Sequence, residues 1–358
     1  MTTVPPDAVG RELLESLPAS PDAYPQKLDL NAGRVLIVRL DAATYRAASF
    51  LDDRILGPAV RGAWLSLGDV IEASRRIAER RRVHFILHTG HVGSTLVSRL
   101  LDETGLVLSL REPLPLRTLA DVHDVLGRVD SLWSEPQFDL VVGAFMRLWS
   151  RGYHDTQCVV VKATSSAGRV HAALLAASED SRAIYMNLRA EPYLATLLAG
   201  QNSLIDLRGH GPERMRRVQA RFGASVAPLH ALSVGELAAL SWLAETSAQR
   251  DALKAFPGRV IDVDFNALLE DVAGQMARVL EHFALPDPAG HSAQMARSAS
   301  LSRYSKAPEY DYSADARAEV LRESRRSNRL EIRKGLEWLE ALAKSNREVA
   351  EIVGHAGA

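Results

Sequence analysis

The chain has 358 residues, of which 47% are hydrophobic and 24% charged, a composition typical of a folded globular protein. Its 43 Lys and Arg residues against 44 Asp and Glu residues give a net charge of −1, which argues against a protein that binds nucleic acid through a broad basic surface. The single cysteine, Cys158, excludes an intrachain disulfide and a cysteine-based zinc cluster, and its apolar neighbours predict a buried side chain.

The N-terminal sequence indicates neither export nor membrane insertion. It has no basic start followed by an apolar run, and nowhere does the chain contain about 18 consecutive apolar residues. We therefore expect a cytoplasmic protein without a membrane partner.

Residues 1–80 are predicted to form a small α+β N-terminal extension, packed on a larger domain of residues 81–358. Pro, Ala and Asp are frequent in the first residues, to about residue 30, which favours a loosely held lead-in. The sequence "RVLIVRL" (residues 34–40) has strand character. A helix is predicted over residues 41–56, with Asp41 as its N-cap, and a second helix over residues 62–81.

From residue 83 onward, short apolar runs alternate with helical stretches. This order predicts a mostly parallel sheet of about five strands covered by helices on both faces, which is a P-loop-like α/β fold. The apolar runs lack polar alternation, as expected for strands buried on both faces. The predicted strands are residues 83–89, 106–110, 158–163, 183–189 and 259–265. Helical periodicity marks "FDLVVGAFMRLW", "RVHAALLAAS", "ELAALSWLAETSAQRDALKAF" and "VAGQMARVLEHFAL" between and after them.

A glycine-punctuated turn follows the first of these strands, in "FILHTGHVGSTLVSRLL" (residues 85–101). Glycines let the backbone turn sharply, and the exposed amides and positive dipole end of the following helix attract anions. Ser94 and Thr95 add hydroxyl donors. The sequence therefore predicts an anion-binding loop, which we call the anion loop (residues 89–95). A plain strand-to-helix turn with Ser and Thr caps is the alternative.

The anion loop lacks the lysine of a nucleoside-triphosphate loop. In such loops a Lys before the Ser or Thr reaches the outer phosphates, and the hydroxyl binds magnesium. Gly93 occupies that place here. The predicted ligand group is therefore smaller or less charged, and it is bound without a metal. His84 and His88, four residues apart on the preceding strand, do not indicate a metal site either.

This stretch resembles the 5′-phosphosulfate loop of the sulfotransferase family, which typically reads Pro, Lys or Arg, Ser, Gly, Thr, Thr, Leu. The resemblance implies that the loop holds the 5′-phosphate of 3′-phosphoadenosine-5′-phosphosulfate (PAPS), with Gly93, Ser94 and Thr95 as its main contacts. His91 stands where the family has a Lys or Arg that stabilises charge on the leaving phosphate. The matching positions are Gly90, His91, Val92, Gly93, Ser94, Thr95 and Leu96.

Three later segments resemble the same family in the same order. "CVVVKATS" resembles a strand that ends in Lys-Thr-Pro, with Lys162 and no proline. "DSRAIYMNLRAEPYLAT" (residues 180–196) resembles the 3′-phosphate segment, which implies that Arg189 contacts that phosphate and that Thr196 is the hydroxyl nearest to the family's serine. "VIDVDFNALLEDVAGQMARVLEHFALP" (residues 260–286) resembles the family's later strand, turn and helix. Arg189 has an alternative role in a structural salt bridge with Glu191 or Asp180.

The segment "RYSKAPEYDY" (residues 303–312) resembles the family's C-terminal loop. In that reading Ser305 and Lys306 close over the nucleotide, and the tyrosines stack on the adenine or line an acceptor pocket. Packing alone is the alternative for the whole segment.

Glu112 is the predicted catalytic base. Carbohydrate sulfotransferases commonly place a catalytic glutamate in a Glu-Pro segment after the second strand, and Glu112-Pro113 resembles it. A partly buried carboxylate can accept the acceptor's proton. The alternative is that Glu112 pairs with Arg111 or caps the following helix. His91 is a second candidate base, and Lys162 faces either the sulfate or solvent.

The resulting hypothesis is a metal-independent sulfotransferase that moves a sulfuryl group from PAPS to a hydroxyl or amine of a small molecule or carbohydrate. One alternative is a kinase-like phosphotransferase, in which Asp262 and Asp264 would bind magnesium. Another is a degenerate nucleotide-binding member of the family without activity, since His91 replaces a cation and the 3′-phosphate serine is missing.

Overall fold

Two sheets organise the chain, of which the computed structural model describes residues 7–200, 203–223, 227–306 and 313–355. The N-terminal sheet is antiparallel and has the order β1-β2-β3, and the central sheet has five parallel strands in the order β5-β6-β4-β7-β8. The strands are Ala23–Asp29 (β1), Arg34–Arg39 (β2), Gly62–Ser66 (β3), Arg82–His88 (β4), Val107–Arg111 (β5), Cys158–Lys162 (β6), Ala183–Asn187 (β7) and Val260–Asp264 (β8).

Helices cover both faces of the central sheet. They are Ala8–Ser16 (α1), Ala42–Ala47 (α2), Leu67–Arg75 (α3), Ser94–Asp102 (α4), Leu114–His123 (α5), Glu135–Trp149 (α6), His171–Ala176 (α7), Ala190–Ala199 (α8), Ser203–Phe222 (α9), Val234–Ala255 (α10), Phe265–Glu270 (α11), Val272–His282 (α12), Pro288–Met295 (α13), Ala314–Ser327 (α14), Arg329–Ser345 (α15) and Arg347–His355 (α16). Four short 3₁₀ segments accompany them, Asp53–Ile55, Ser165–Val170, Leu229–Ala231 and Ala299–Ser302. Within the described ranges, no helix has the length and apolarity needed to cross a bilayer.

The central sheet confirms the predicted mostly parallel, P-loop-like α/β fold. All five predicted core strands form, because their continuous apolar runs supply side chains to both faces at once. On β4, Phe85 and Leu87 enter one hydrophobic cluster, and Ile86 enters the other. Cys158 on β6 is fully buried, as predicted.

The N-terminal extension departs from the prediction in three places. Residues 8–29 are not a loose lead-in, because they form α1 and β1; residues 1–6 lie outside the described ranges. The helix predicted over residues 41–56 begins after Asp41, whose side chain accepts from the Thr44 amide at 2.7 Å, but it ends at Ala47. The helix predicted over residues 62–81 begins only at Leu67, because residues 62–66 form β3 beside β2.

Two buried arginines attach the N-terminal extension to the central domain. The guanidinium of Arg151, at the end of α6, donates to the carbonyl oxygens of Leu17, Ser20 and Ala23 at 2.7–2.9 Å. Burial lowers the pKa of Arg151 to about 10, so the side chain stays charged at neutral pH. These contacts join α1 and β1 to α6, and the extension shares one hydrophobic cluster with the central sheet. A domain boundary at residue 80 stays a prediction.

Arg111, at the end of β5, is the second attachment. It donates to the Tyr45 and Ala48 carbonyl oxygens at 2.9 and 2.8 Å and forms an ion pair with Asp102 of α4. The Leu51 amide in turn donates to the Arg111 carbonyl oxygen at 2.7 Å. The chain after Ala47 is thus held against β5, which explains why α2 is short.

Candidate active site

The predicted site residues gather at the carboxyl ends of the central strands, where ligands bind in open α/β sheets. A cavity of about 490 Å³ opens there, and we call it the loop cavity. Most of the predicted residues line it: His91, Val92, Gly93, Ser94, Thr95, Glu112, Lys162, Thr196, Ser305 and Lys306. Gly90 lies between the end of β4 and these residues, and Arg189 lines a different cavity.

The anion loop has a left-handed backbone at three positions. Gly90, His91 and Gly93 have φ values of 101°, 56° and 69°, and α4 begins directly after Gly93. The aromatic ring of Phe265, the first residue of α11, lies against Gly93 so closely that a Cβ there would overlap it. Only glycine therefore fits at position 93 without displacing that ring.

The anion loop presents donors without protein partners. Among the described residues, no hydrogen bond uses the amides of residues 91–95. The Thr95 side chain is buried, and its Oγ1 likewise has no partner in the part of the chain that the structure describes. Buried donors are normally satisfied, so this group of amides and a hydroxyl fits an anion bound at the start of α4.

Neighbouring side chains fix the loop backbone from behind. The Tyr193 hydroxyl of α8 donates to the Thr89 carbonyl oxygen at 3.1 Å and shares a 2.9 Å hydrogen bond with Ser241. His88, at the end of β4, accepts from the Gly90 amide at 3.1 Å through Nδ1. Its Nε2 lies 2.8 Å from the Ala163 carbonyl oxygen.

Glu112 and Lys162 form a buried ion pair at the wall of the loop cavity. The register of the parallel strands places Arg111 opposite Lys162, so Glu112 follows directly beside it, and its amide donates to the Lys162 carbonyl oxygen at 2.7 Å. Burial lowers the pKa of Lys162, against the opposing effect of the Glu112 carboxylate. The alternative interpretations of Glu112 are wrong: Arg111 pairs with Asp102 instead, and α5 has no side-chain cap.

The surroundings of His91 lower the pKa of its imidazole. Its ring is open to the cavity, yet most of its volume is surrounded by protein, and this desolvation lowers its pKa to about 4. The ammonium group of Lys306 lowers the pKa further. Without a bound anion, His91 therefore does not supply the positive charge that the family's Lys or Arg would supply.

Positive side chains from the C-terminal part of the chain complete the loop cavity. Arg303, Lys306 and Arg317 line it, and the Arg317 guanidinium lies 4.9 Å from the centroid of the Phe265 ring. Arg99 of α4 donates to the Ser305 carbonyl oxygen at 2.8 Å, which attaches this segment to the helix that follows the anion loop. The rest of the segment, residues 307–312 with Tyr310 and Tyr312, lies outside the described residues.

Arg189 does not meet the anion loop. It is exposed at the start of α8 and lines a second cavity of about 410 Å³, together with Asp262 and Asp264. The predicted salt bridges with Glu191 or Asp180 are absent among the described residues, and Glu191 pairs with Arg325. Thr196 faces the loop cavity, but its hydroxyl donates to the Pro192 carbonyl oxygen at 2.7 Å.

Four residues of the site were not predicted from the sequence. The spacing of His88 from His84 bears only on a metal site. Phe265 and Arg317 lie far from the loop in sequence, and the family resemblance assigns no role to Tyr193. Only His88 had a usable signal, namely a polar residue directly before a glycine turn at the end of an apolar strand.

The fold and the site define an α/β protein with a glycine-containing loop of unpaired amides after the central strand of a five-stranded parallel sheet. Solved structures of similar fold include sulfotransferases. The sulfotransferase domain from the curacin biosynthetic pathway is 14% identical, with 66% of this chain and 85% of that chain covered and a TM-score of 0.41. Sulfotransferase STF1 from Mycobacterium tuberculosis is 15% identical, with 72% and 82% covered and a TM-score of 0.38.

Sulfotransferase STF9 from Mycobacterium avium is 14% identical, with 88% of this chain and 96% of that chain covered and a TM-score of 0.36. All three TM-scores are below 0.5, so the function proposed below rests on the residues of the chain itself. No protein-family model matches the sequence. No curated protein sequence matches it either.

Replacement of Gly93 tests the packing of the anion loop. Gly93→Ala places a methyl group into the Phe265 ring, whereas Gly105→Ala adds the same methyl group at a similar φ of 72° with no atom within 4 Å. Since overpacking costs about 1–3 kcal/mol, we expect Gly93→Ala to lower the free energy of unfolding by about that much more than Gly105→Ala. Urea titration measures both values. Equal losses in the two variants would contradict the contact with Phe265.

Proposed function

We propose that the chain is a sulfotransferase that uses PAPS and an acceptor hydroxyl or amine. The anion loop carries this proposal, because its free amides and the buried, unpaired Thr95 hydroxyl offer a ready site for a phosphate group. The charge of the surrounding wall supports it. Four cationic side chains, Lys162, Arg303, Lys306 and Arg317, line the loop cavity, and Glu112 is the only carboxylate among the described residues that line it.

The residues of the loop cavity fit a nucleotide donor. The volume of about 490 Å³ lies within the range of about 300–1,000 Å³ that small-molecule sites occupy. Apolar side chains, including Phe265, Leu269 and Leu301, also line the cavity and could bury an uncharged base. Bound PAPS would supply an activated sulfuryl group, and the anion loop would hold its 5′-phosphate.

The Glu112–Lys162 pair supplies the acid–base and charge functions of the proposed reaction. The Glu112 carboxylate holds the acceptor's proton, and the buried ammonium group of Lys162 stabilises negative charge on the departing oxygens. His91, uncharged before the donor binds, gains a proton more readily once a phosphate lies beside it, because an adjacent anion raises its pKa. The acceptor is a small molecule or a carbohydrate in this proposal.

The phosphotransferase alternative has less support. Asp262 and Asp264, its candidate magnesium ligands, line the second cavity with Arg189, and Asp264 accepts from the Ala267 amide at 2.9 Å as the N-cap of α11. Asp262 stands 3.6 Å from Arg278 in an exposed ion pair. Neither carboxylate reaches the anion loop. The other alternative is a degenerate nucleotide-binding protein without activity. It would bind the nucleotide but transfer no sulfuryl group.

Adenosine 3′,5′-bisphosphate, the product of the donor, should stabilise the protein. A ligand at one hundred times its dissociation constant adds about 2.7 kcal/mol to the free energy of unfolding. Thr95→Val removes the unpaired hydroxyl with little change in shape, so we expect about ten- to hundredfold weaker binding by calorimetry, since a hydrogen bond to a charged group contributes about 1.5–3 kcal/mol. Thr246→Val is the matched control, because that buried hydroxyl is also unpaired but lines the second cavity. Binding that is insensitive to Thr95 would contradict the role of the loop.

The donor's 3′-phosphate can be assigned with two arginine variants. Arg189 is the candidate from the family resemblance, and Arg317 lines the loop cavity itself. We expect Arg317→Ala to weaken the binding of adenosine 3′,5′-bisphosphate much more than that of adenosine 5′-monophosphate, because a guanidinium binds phosphate through paired charge-assisted hydrogen bonds. Arg189→Ala should leave this discrimination nearly unchanged. The reverse pattern in calorimetry would assign the 3′-phosphate to Arg189.

Glu112→Gln tests the proposed base. The amide cannot take a proton, so turnover of PAPS with a panel of phenols, amines and sugars should fall by about 10²–10⁴-fold, while affinity for adenosine 3′,5′-bisphosphate stays within about twofold. Glu191→Gln, at an exposed carboxylate paired with Arg325, controls for loss of an ion pair. If Glu112→Gln turned over PAPS at the parent rate, Glu112 would not be the base.

A further inference from the structure

The imidazole of His88 connects two parts of the site through the backbone. It is nearly buried, with 5% of its surface exposed, and it lies at the end of β4 directly before the anion loop. One nitrogen, Nδ1, accepts from the Gly90 amide at 3.1 Å. The other, Nε2, lies 2.8 Å from the carbonyl oxygen of Ala163, the residue after Lys162.

These two contacts determine the protonation state of the ring. A carbonyl oxygen only accepts hydrogen bonds, so Nε2 carries the hydrogen, and an amide only donates, so Nδ1 is bare. A second proton on Nδ1 would face the Gly90 N–H. Burial and the positive charge of Lys162 lower the pKa of His88, with smaller contributions from Lys306 and His91, which favours the uncharged ring.

We propose that His88 is a positioning residue of the site: as the Nε2–H tautomer it holds the Gly90 amide of the anion loop and the end of β6 together, and so fixes the loop relative to the Glu112–Lys162 pair. The consequence for the donor rests on the proposed function, since the loop would hold the phosphate and the pair would face the reacting end. The tautomer and the two hydrogen bonds do not depend on that function.

Two substitutions separate the contacts of His88. In His88→Asn the side-chain oxygen takes the place of Nδ1 and can accept from the Gly90 amide. In His88→Gln the side-chain amide takes the place of Nε2 and can donate to the Ala163 carbonyl oxygen. Each variant keeps one hydrogen bond and loses the other, so each breaks the link between the Gly90 amide and the end of β6.

His84→Gln is the control for a buried histidine on the same strand. Its Nδ1 also accepts from a backbone amide, that of Arg182 at 3.1 Å, and its ring stacks on Phe283. We expect His84→Gln to destabilise the protein without changing affinity for adenosine 3′,5′-bisphosphate.

The decisive measurements are calorimetry with adenosine 3′,5′-bisphosphate and NMR of ¹⁵N-histidine-labelled protein. We expect both His88 variants to bind at least tenfold more weakly than the parent, because each loses one end of the link, and the His88 nitrogens of the parent to report the Nε2–H tautomer from pH 8 to pH 6. Exchange of the Gly90 amide with solvent should be slow in the parent and in His88→Asn, and fast in His88→Gln.

Two results would overturn the proposal: a parent-like affinity in either His88 variant, or an Nδ1–H tautomer in the parent. Failure of the parent to bind adenosine 3′,5′-bisphosphate would instead refute the proposed function. In that case the tautomer and the Gly90 exchange rates would still decide whether His88 holds the loop.

Discussion

The site depends on keeping a row of backbone amides free of protein acceptors. Buried amides normally form hydrogen bonds within the protein, so a loop whose amides form none must be held in shape by other contacts. Here the left-handed positions at Gly90 and Gly93 set the direction of the amides. Phe265 covers Gly93, and the Tyr193 hydroxyl donates to the carbonyl oxygen of the first loop residue. A ligand bound here, as proposed, would meet a loop whose shape is already fixed, so less conformational entropy would be lost on binding.

A second organising contact is the ion pair between Glu112 and Lys162. Each charge offsets part of the desolvation penalty of the other, and removal of one residue would leave an uncompensated buried charge. The pair lies beside the anion loop because β4 and β5 both neighbour β6. The position of β6 between β5 and β4 thus places the residues that follow these three strands close together.

The predictability of the structure from its sequence follows from how each part is stabilised. The five core strands were predicted because each one is apolar on both faces, a pattern that needs no partner to be recognised. The strand over residues 62–66 was missed because only Leu65 is buried there, so its apolar residues carry no alternation that distinguishes it from the start of a helix. The Glu112–Lys162 pair depends on strand register, which a local pattern does not contain. The role expected for Arg189 came only from the family resemblance. Arg189 lines the same cavity as Asp264 and not the loop cavity, which depends on the path of the chain after β7.

The attachment of the N-terminal extension has a consequence for biosynthesis. Leu17 and Arg151 are 134 positions apart, so the first helix leaves the ribosome long before its buried arginine partner is made. Residues 8–66, which form α1 and the three-stranded N-terminal sheet in the folded protein, are therefore synthesised before α6 can pack against them. Slow translation between residues 66 and 151 would prolong the time in which this nascent segment is open to chaperones and proteases.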